Sequence, residues 1–542
     1  MPNLDMYSGD WTTLQARHLL RRTTFGPSRE MVNTSVEMGL SQTLDQLFAE
    51  QPLPDLPVNS HPDEGGVAYP DPYVNYGEPW FDRPIHPDDI NDRSLQSRTL
   101  KARLRSLVGW TYLQMFYSGI SLREKMALFW HNHFVVAGEI FAQRKYVYQT
   151  LFRTNAFGNF KQLTKDITID TGMLKYLSGT INTKDAPNEN YSRELLELFT
   201  IGKGEMVDPG DYTNYTETDV EQLARALTGW YIPKSRAGHD GLYAEYNRRK
   251  HDTGDKQLSH RFNNAVITDN GENEYKDVVD VIFQQDECSR FITRKLYRWF
   301  VYSEITSEIE TNIIEPLAQI IRDNDYEVGP ALRVLFASDH FFETTACMIK
   351  SPIDFIMSAS RGLGVTPPAE TIEEEYKYAV VLYVMATQLD QSIFCHPNVA
   401  GWKAYYQEPQ FYKTWINSLL LPRRTNVANS MVYGEKYEID DGIFFVSAVI
   451  PVLEIAESIV GAEYPEILVS ELVAHLFNYP ITDEQKAQLK SILTLGLMDD
   501  EWTEEYGYYL EDPTNKAKKS GVQTKLRTLF STMVQMSEFQ IM

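Results

Sequence analysis

The sequence predicts a mainly α, large multi-helix globular fold, and three observations lead to this prediction. Of the 542 residues, 43% are apolar and 12% are aromatic, which is the composition of a folded chain. Apolar residues recur at helical spacing over most of the chain. Three segments match the capping box, in which a side-chain oxygen and a Glu or Gln satisfy the first N–H groups of a helix.

Each capping-box match precedes an apolar helical pattern. The matches are Ser121 with Glu124, Thr218 with Glu221, and Thr482 with Gln485. Gly229 is placed to end the second of these helices, because glycine commonly follows the last helical turn. These starts and stops favour a chain of consecutive helices from about residue 95 onward.

The first part of the chain combines two helices with a long irregular segment. A short helix around His18 ends at Gly26-Pro27, and a second runs from about Ser28 to Glu50. Residues 52–95 are rich in Pro, Asp, Gly and Tyr and show little periodicity. We predict a long irregular loop there, and a loop of this length is unusual in a compact domain unless it has a function.

A small β-hairpin region is expected near residues 230–262. Gly238, Gly241 and Gly254 separate short aromatic segments in this stretch, as is typical of hairpins.

The clearest internal boundary is the segment from residue 365 to residue 375. Pro367 and Pro368 interrupt any helix before an acidic helix start. The sequence therefore predicts a main helical domain at residues 1–365. A C-terminal helical region at residues 366–542 is expected to pack on it without necessarily folding alone.

Charge and segment length exclude several classes of partner. The chain has 51 Lys and Arg against 75 Asp and Glu, a net charge of −24. Nucleic acid is therefore not expected as a partner, because like charges repel. The apolar stretch from residue 443 to residue 453 is too short to span a bilayer, and no secretory signal is visible, so the sequence predicts a cytoplasmic protein without a membrane span.

The first motif with chemical potential contains His131 and His133. An H-x-H pair binds one metal ion when both imidazoles reach it, but residues two apart on a helix point in different directions. The pair is a metal site only if the helix breaks by about His131. A buried helix with two core histidines is the alternative.

The second motif covers residues 187–199. Glu189, Arg193 and Glu197 are spaced four residues apart, which permits weak ion pairs on a solvated helical face. In the functional interpretation, Glu194 and Glu197 face a pocket, either as general acid and base or as oxygen ligands, and Arg193 attracts an anionic group. Such a carboxylate pair requires environments that separate the two pKa values.

The third motif contains His251, Asp252 and Lys256 beside a glycine. The histidine and aspartate are suited to a metal ligand with its orienting carboxylate, or to a general base. The lysine is suited to phosphate or sulfate. A surface turn is the alternative interpretation.

Taken in order, the motifs resemble those of a bacterial family catalogued as domain of unknown function 1800 (DUF1800). The resemblance extends from residue 14 to the carboxyl end. It is carried by HLLRRTTFGP, EKMALFWHNHF, PNENYSRELLELFTIG, YTETDVEQLARALTGW, HDTGDK, FITRKLYRWFV, KSPIDFIMSASRGLG and HPNVAGWKAYYQEPQFYKTWINSLLLPRR.

The resemblance implies no established activity, but it indicates where function would reside. Members are often encoded beside a family that resembles sulfatase- and phosphatase-like proteins, which implies a nearby partner of that kind and an envelope pathway. The family motif blocks fall on His131, Asn132, His133, Asn188, Glu189, Asn190, Arg193, Glu194, Glu197, Trp230, His251 and Asp252.

The first functional hypothesis is a metal-assisted hydrolase acting on an anionic, sulfated or phosphorylated envelope polymer or sugar. A mixed histidine and carboxylate set suits Zn, Mn or Fe. The predicted roles are metal ligation by His131, His133 and His251; catalysis by Arg193, Glu194, Glu197 and Asp252; and substrate binding by Asn188, Asn190, Trp230 and Lys256. The alternatives are a non-catalytic scaffold for the sulfatase-like partner and a metal-dependent redox protein.

Overall fold

Helices account for most of the described chain, which confirms the mainly α prediction. The structure is a computed structural model. It describes residues 3–62, 71–83, 93–138, 141–233, 241–345, 347–439, 442–445, 448–477 and 479–542. Within these residues, no helix is both long and apolar enough to cross a bilayer.

The helices follow one another with short connections. The first twelve are α1 (Thr13–Thr23), α2 (Arg29–Leu47), α3 (Arg93–Tyr117), α4 (Arg123–His133), α5 (Ala142–Thr154), α6 (Phe160–Thr168), α7 (Thr171–Tyr176), α8 (Asn190–Glu194), α9 (Glu217–Ala226), α10 (Glu274–Ile282), α11 (Asp286–Phe300) and α12 (Ser307–Ile309). The next are α13 (Glu315–Asp323), α14 (Gly329–Ala337), α15 (Asp339–Glu343), α16 (Pro352–Ala359), α17 (Ile372–Gln388), α18 (Leu420–Tyr433), α19 (Val452–Glu457), α20 (Pro465–Leu476), α21 (Asp483–Thr494), α22 (Asp499–Glu511), α23 (Lys516–Gln535) and α24 (Ser537–Gln540).

Strands are confined to short antiparallel hairpins in the described residues. They are β1 (Met206–Asp208) with β2 (Asp211–Tyr212), β3 (Trp230–Tyr231) with β4 (Glu245–Tyr246), β5 (Lys256–Gln257) with β6 (Val266–Ile267), and β7 (Lys436–Ile439) with β8 (Gly442–Phe445). The second and third hairpins confirm the predicted β region, although β6 lies just beyond residue 262. The first and last were not predicted, because strands of two to four residues carry almost no periodicity.

One of the three predicted capping boxes forms as expected. At the start of α21, the Thr482 side chain accepts from Gln485 N–H, and the Gln485 side chain accepts from Thr482 N–H. The box at α9 lies two residues earlier than predicted and consists of Thr216 and Asp219. Aspartate can replace the glutamate of this motif because its carboxylate also reaches back to the cap N–H.

The prediction of a capping box at Ser121 was wrong. Helix α4 begins at Arg123 and has no side-chain cap, and Glu124 instead binds Arg153 on α5. The buried arginine offers the carboxylate a full positive charge, whereas a backbone N–H offers a partial one. Glu124 thus contributes to packing between helices and not to the helix start.

The long loop is irregular where it is described, as predicted, and it is fixed to α3. Trp80 is fully buried, and its Nε1 donates to Ser106 Oγ at 2.9 Å. Nearby, Arg103 Nε lies 2.6 Å from Asp71 Oδ2, and both side chains are buried. Helix α3 starts at Arg93, two residues before the predicted end of the loop, and residues 63–70 and 84–92 lie outside the described residues.

The C-terminal region makes extensive contacts with the predicted main domain. Helix α17 packs along α3. Arg22 of α1 donates to the carbonyls of Val301, at 2.9 Å, and Met542, at 2.7 Å. Ile349 also forms an isolated bridge with Ile541. These contacts join the first helix to the last residues, and the boundary near residue 365 stays a prediction.

Gly26, in the turn after α1, lies where no side chain fits. Its φ is +54°, and an added Cβ would lie 2.2 Å from the carbonyl oxygen of Met357. We expect Gly26→Ala to lower the free energy of unfolding by about 3 kcal/mol or more, through left-handed strain and overpacking. Urea unfolding followed by circular dichroism measures this loss.

The matched control is Gly364→Ala. Gly364 also has a left-handed backbone, with φ +71°, but nothing lies within 4 Å of its added Cβ. The control is expected to lose only about 1–2 kcal/mol. Equal losses in both variants would show that the close approach to Met357 has no energetic weight.

Candidate functional site

The two histidines of the H-x-H motif have different neighbours. Helix α4 continues to His133, so the break that a shared metal requires is absent. His131 Nε2 accepts from the N–H of Phe394 at 3.0 Å, and its ring centroid lies 4.5 Å from that of His396. His133 Nε2 lies 3.0 Å from the carbonyl oxygen of Phe199. The two rings therefore do not face a common point.

Both imidazoles are core groups in the structure. Burial, assisted by the nearby His396 and Lys145, holds the pKa of His131 well below its usual range. Burial and Lys295 do the same to the pKa of His133. Both rings are thus neutral at physiological pH, which agrees with the core-histidine alternative for this motif.

Arg193 joins α8 to the first turn of α9. Its Nη2 lies 2.9 Å from Glu189 Oε2, one helical turn earlier, and 2.7 Å from Glu217 Oε2. These side chains are about one-third exposed, so the ion pairs are partly screened. The predicted pair between Glu189 and Arg193 is present, and Arg193 uses its other contact to hold α9.

Glu194 and Glu197 have different surroundings, as an acid–base pair would need. Burial, and then the charge of Glu197, raise the pKa of Glu194. Glu197 accepts from Tyr215 Oη at 3.1 Å and lies 3.7 Å from Lys203 Nζ. Glu197 is part of a π-helical turn, Leu195–Thr200, a backbone irregularity that is frequent at functional sites. Their catalytic role stays a prediction.

Asn188 and Asn190 shape the turn that leads into α8. The N–H of Asn190 donates to Asn188 Oδ1 at 3.1 Å, and the N–H of Asn188 donates to Asn182 Oδ1 at 2.9 Å. Asn182 in turn donates to the carbonyl of Ala224 at 2.9 Å. The described contacts of Asn188 and Asn190 are therefore structural, and their predicted substrate contact is untested.

The predicted site residues lie at two ends of α9. Arg193 binds Glu217 at its first residue. His251 binds Thr228, two residues after its end. A helix of this length spans about 15 Å. His131, Glu194 and His251 do not form one ligand group in the structure, because each has separate partners.

A different group surrounds His251. Within the described part of the chain, His251, Asp269 and Glu274 are the group of three His, Cys, Asp or Glu residues whose ligand atoms all lie within 4.8 Å of one another. His251 Nε2 is 2.9 Å from Glu274 Oε2 and 3.9 Å from Asp269 Oδ1. The three residues come from the turn after Arg248–Lys250, the loop after β6 and the start of α10. We call them the His251 triplet.

Hydrogen bonding fixes the tautomer of His251. Its Nδ1 lies 3.0 Å from the carbonyl oxygen of Thr228. The Thr228 hydroxyl donates to the carbonyl of Arg225 and accepts from the N–H of Asp252, so it has no hydrogen left for the ring. Nδ1 must therefore carry the hydrogen and donate it to the carbonyl. A carbonyl partner of this kind is usual for metal-ligating histidines.

The opposite ring nitrogen of His251, Nε2, then needs a proton or a metal ion between itself and Glu274. Without one, the lone pair of His251 Nε2 would face a lone pair of Glu274 Oε2 at 2.9 Å, which is repulsive. Either a proton or a metal ion between these atoms removes the repulsion. The geometry is thus compatible with an imidazolium ion pair or with a metal ligand.

Two cations orient the carboxylates of the His251 triplet. Lys256 Nζ lies 2.5 Å from Glu274 Oε1, and Arg248 Nη2 lies 2.5 Å from Asp269 Oδ2. Each carboxylate thus directs its other oxygen toward His251. Lys256 is completely buried, so it positions Glu274. Its predicted role in substrate binding would require a side chain that faces solvent.

Asp252 is paired with an arginine beside the His251 triplet. Its carboxylate accepts from Arg225 at 2.7 and 3.2 Å. This hydrogen bonding lowers the pKa of Asp252. A carboxylate with a lowered pKa is a weak general base, so the structure disfavours the predicted catalytic role.

One side of the His251 triplet is accessible to solvent and lies beside exposed basic residues. His251 and Glu274 are buried, whereas the Asp269 side chain is 23% exposed. Arg248, Arg249 and Lys250 are exposed just before His251 and form a basic edge on a chain of net charge −24. The site is therefore open toward a local positive field.

Aromatic rings close the other side of the site. The ring of Tyr246 lies 5.3 Å from that of His251, and Trp230 lies 5.7 Å from Tyr246. Trp230 also contacts Tyr275 on α10, with the centroids 5.5 Å apart. Trp230, predicted to bind substrate, thus reaches the site region through Tyr246 and Tyr275.

Comparison with known proteins identifies the family and nothing closer. The comparison with curated proteins and the comparison with solved structures found no match. The family model described as "Protein of unknown function (DUF1800)" matches residues 18–541, nearly the whole chain. The chain therefore belongs to the DUF1800 family.

Proposed function

We propose that the chain binds one divalent Zn, Mn or Fe ion at the His251 triplet and hydrolyses an anionic ester with its help. The observation that carries the proposal is the arrangement of His251, whose Nδ1 is held by a backbone carbonyl and whose Nε2 faces two carboxylate oxygens. Of the three predicted metal ligands, this proposal keeps His251 and replaces His131 and His133 with Asp269 and Glu274.

The spacing of the donor atoms supports a metal site. Metal–ligand bonds to nitrogen and oxygen are about 2.0–2.2 Å, so two ligands of one ion are about 3.0–3.5 Å apart. The separations from His251 Nε2 are 2.9 Å to Glu274 and 3.9 Å to Asp269. The ligand atoms of all three residues lie within 4.8 Å of one another, so binding one ion would need only small shifts of these side chains. One nitrogen with two oxygens suits Zn, Mn or Fe better than Ca or Mg, which prefer all-oxygen sites.

The same arrangement supports hydrolysis of an anionic substrate. Three protein ligands leave a coordination position for water, and a bound metal makes that water a nucleophile at neutral pH. The open side at Asp269 admits solvent, and the basic edge of Arg248, Arg249 and Lys250 attracts phosphate or sulfate groups. Lys256 and Arg248 hold the ligating carboxylates in place.

Metal binding is tested by metal analysis of protein purified without chelator and then dialysed against Zn²⁺ or Mn²⁺. We expect one equivalent of metal in the wild type and at least about tenfold weaker binding in His251→Ala and Glu274→Gln, because each loses a ligand or its charge. The matched control is His260→Ala, since the His260 side chain is 61% exposed and lies outside the triplet.

Turnover is measured on the same proteins with p-nitrophenyl phosphate and p-nitrophenyl sulfate. The expected result is metal-dependent release of nitrophenol that disappears in His251→Ala and persists in His260→Ala. Metal binding without turnover would reject the hydrolase and leave the redox protein and the scaffold as alternatives. Equal metal content in wild type and His251→Ala would reject the metal site itself.

A further inference from the structure

A separate cleft of about 870 Å³ lies between the first two helices and the C-terminal region. Its apolar lining includes Leu14, Val32, Leu363, Ile455, Ile459 and Phe477. A volume of this size is in the range of small-molecule sites, about 300–1,000 Å³. The cleft shares no lining residue with the His251 triplet, so it is independent of the proposed hydrolase.

Arg17 gives this cleft a buried positive charge. The residue is only 7% exposed, and its guanidinium donates to the carbonyls of Ala474 and Phe477. Within the described residues, no salt bridge joins a carboxylate to Arg17, and burial, together with the positive charge of Arg29, lowers the pKa of Arg17. Buried charges are normally paired, so this guanidinium lacks the partner that burial favours.

The carbonyls that Arg17 contacts offset only part of its charge. They come from the end of α20 and the residue after it, and Arg21 also donates there, to Leu476 O at 2.8 Å. The C-terminus of a helix carries about half a negative charge. The full charge of Arg17 therefore exceeds the partial charge that faces it.

The pKa of His475, at the edge of the cleft, is lowered in part by the same arginines. Burial, and then Arg17, Arg21 and Arg29, lower the pKa of His475 to about 3. Three exposed acids, Glu30, Glu454 and Glu471, also line the cleft. No salt bridge joins these acids to Arg17 or Arg29, and solvent screens the charges of exposed groups.

We infer that the cleft binds an oxyanion, a carboxylate or a phosphate, that carries an apolar body. The head group would lie between Arg17 and Arg29, where a positive charge lacks an acidic partner. The apolar body would lie against Leu14, Val32 and Ile455. A guanidinium recognises either kind of head group through paired hydrogen bonds.

Titration calorimetry on the full chain tests this inference with octanoate, octyl phosphate and 1-octanol. These probes share an apolar chain of similar length and differ in the head group. We expect at least one anion to bind at least about tenfold more tightly than the neutral alcohol, because only an anion pairs with the arginines. The tighter of the two anions identifies the head group. Shortening its chain by two methylenes should weaken binding about fifteenfold, since a buried methylene contributes about 0.8 kcal/mol.

A pair of charge reversals locates the site. Arg29 and Lys516 are both exposed first residues of long helices, α2 and α23, so Arg29→Glu and Lys516→Glu change the net charge and the helix start alike. Arg29→Glu should weaken anion binding at least about tenfold relative to Lys516→Glu. His251→Ala should leave it unchanged, which separates this result from the metal proposal. Equal binding by the two reversals, or octanol binding as tightly as the anions, would overturn the inference.

Discussion

Acidification from about pH 7.5 to about pH 5 is expected to lower the free energy of unfolding by at least about 5 kcal/mol. This figure counts His18, His396 and His475 against Asp170, and the lowered pKa values of His131 and His133 add to the loss. The cause is a set of histidines that fold in the neutral form. Burial, with nearby Arg22, lowers the pKa of His18 to about 3. Burial, with Lys145, lowers the pKa of His396 to about 3, and His475 has a similar pKa. The total stability of a domain is only about 5–15 kcal/mol, so this loss would unfold much of the protein.

The direction follows from which state binds more protons. In the unfolded chain the histidines have a pKa of about 6.5. Between that pH and about 3, the unfolded state therefore binds protons that the folded state does not. Each such histidine removes about 2 kcal/mol of stability by about pH 5, and the loss continues to about pH 3. Asp170 acts in the opposite direction, because burial raises its pKa to about 6. It recovers about 1 kcal/mol over the same range.

Urea unfolding at a series of pH values measures this dependence. His18→Gln retains a donor for the carbonyl of Phe341, which lies 2.9 Å from His18 Nε2, but does not titrate. We expect this variant to lose about 2 kcal/mol less than the wild type on acidification. His260→Gln is the control, since its exposed ring should leave the pH dependence unchanged. Wild-type stability that is constant between the two pH values would contradict the assignment of neutral buried histidines.

Glu124→Ala is expected to lower the free energy of unfolding by about 3–5 kcal/mol, because it leaves the charge of Arg153 buried without a partner. Arg153 Nε lies 2.9 and 3.0 Å from the two carboxylate oxygens of Glu124. The side chains are only 1% and 2% exposed. The guanidinium also lies over the ring of Trp110, 4.6 Å from its centroid, and cannot turn to solvent without disturbing the core.

The control for this prediction is Glu217→Ala, which breaks a partly exposed pair with Arg193. The Arg193 and Glu217 side chains are 32% and 37% exposed, so we expect a loss of about 1 kcal/mol or less. Both variants are measured by urea unfolding at neutral pH. A double variant, Glu124→Leu with Arg153→Met, should recover most of the loss because no unpaired charge remains. A Glu124→Ala loss as small as the control would show that the buried pair is energetically neutral.

The fold was predictable where local patterns decide the structure. Helix α1 and the capping box at Thr482 follow from residue spacing and cap chemistry. The second helix starts as predicted, but its backbone is interrupted at Gly39, where φ is +76°, and α1 ends at Thr23, before the predicted stop at Gly26. The sequence also indicated hairpins near Trp230 and Lys256. The capping box at Ser121 failed because Glu124 has a better partner on another helix. A local motif cannot reveal such a long-range competitor.

The site was only half predictable for the same reason. His251 stood out because it adjoins Asp252 and a glycine, but its proposed co-ligands Asp269 and Glu274 come 18 and 23 residues later. The β5–β6 hairpin brings them back to His251. In contrast, His131 and His133 stand out in sequence, yet the continuous helix sends them to separate contacts. A motif with the residue types of a metal site, such as H-x-H, can therefore be part of the hydrophobic core.

The hydrogen bonds of Arg22 join segments that lie far apart in the sequence. Its guanidinium lies on α1, but its acceptors are the carbonyls of Val301 and Met542, 279 and 520 residues later. Until those residues are synthesised, the guanidinium of Arg22 stays hydrated and cannot make its folded contacts. These contacts of α1 therefore close late, after the segments around Val301 and Met542 have been synthesised and brought to it.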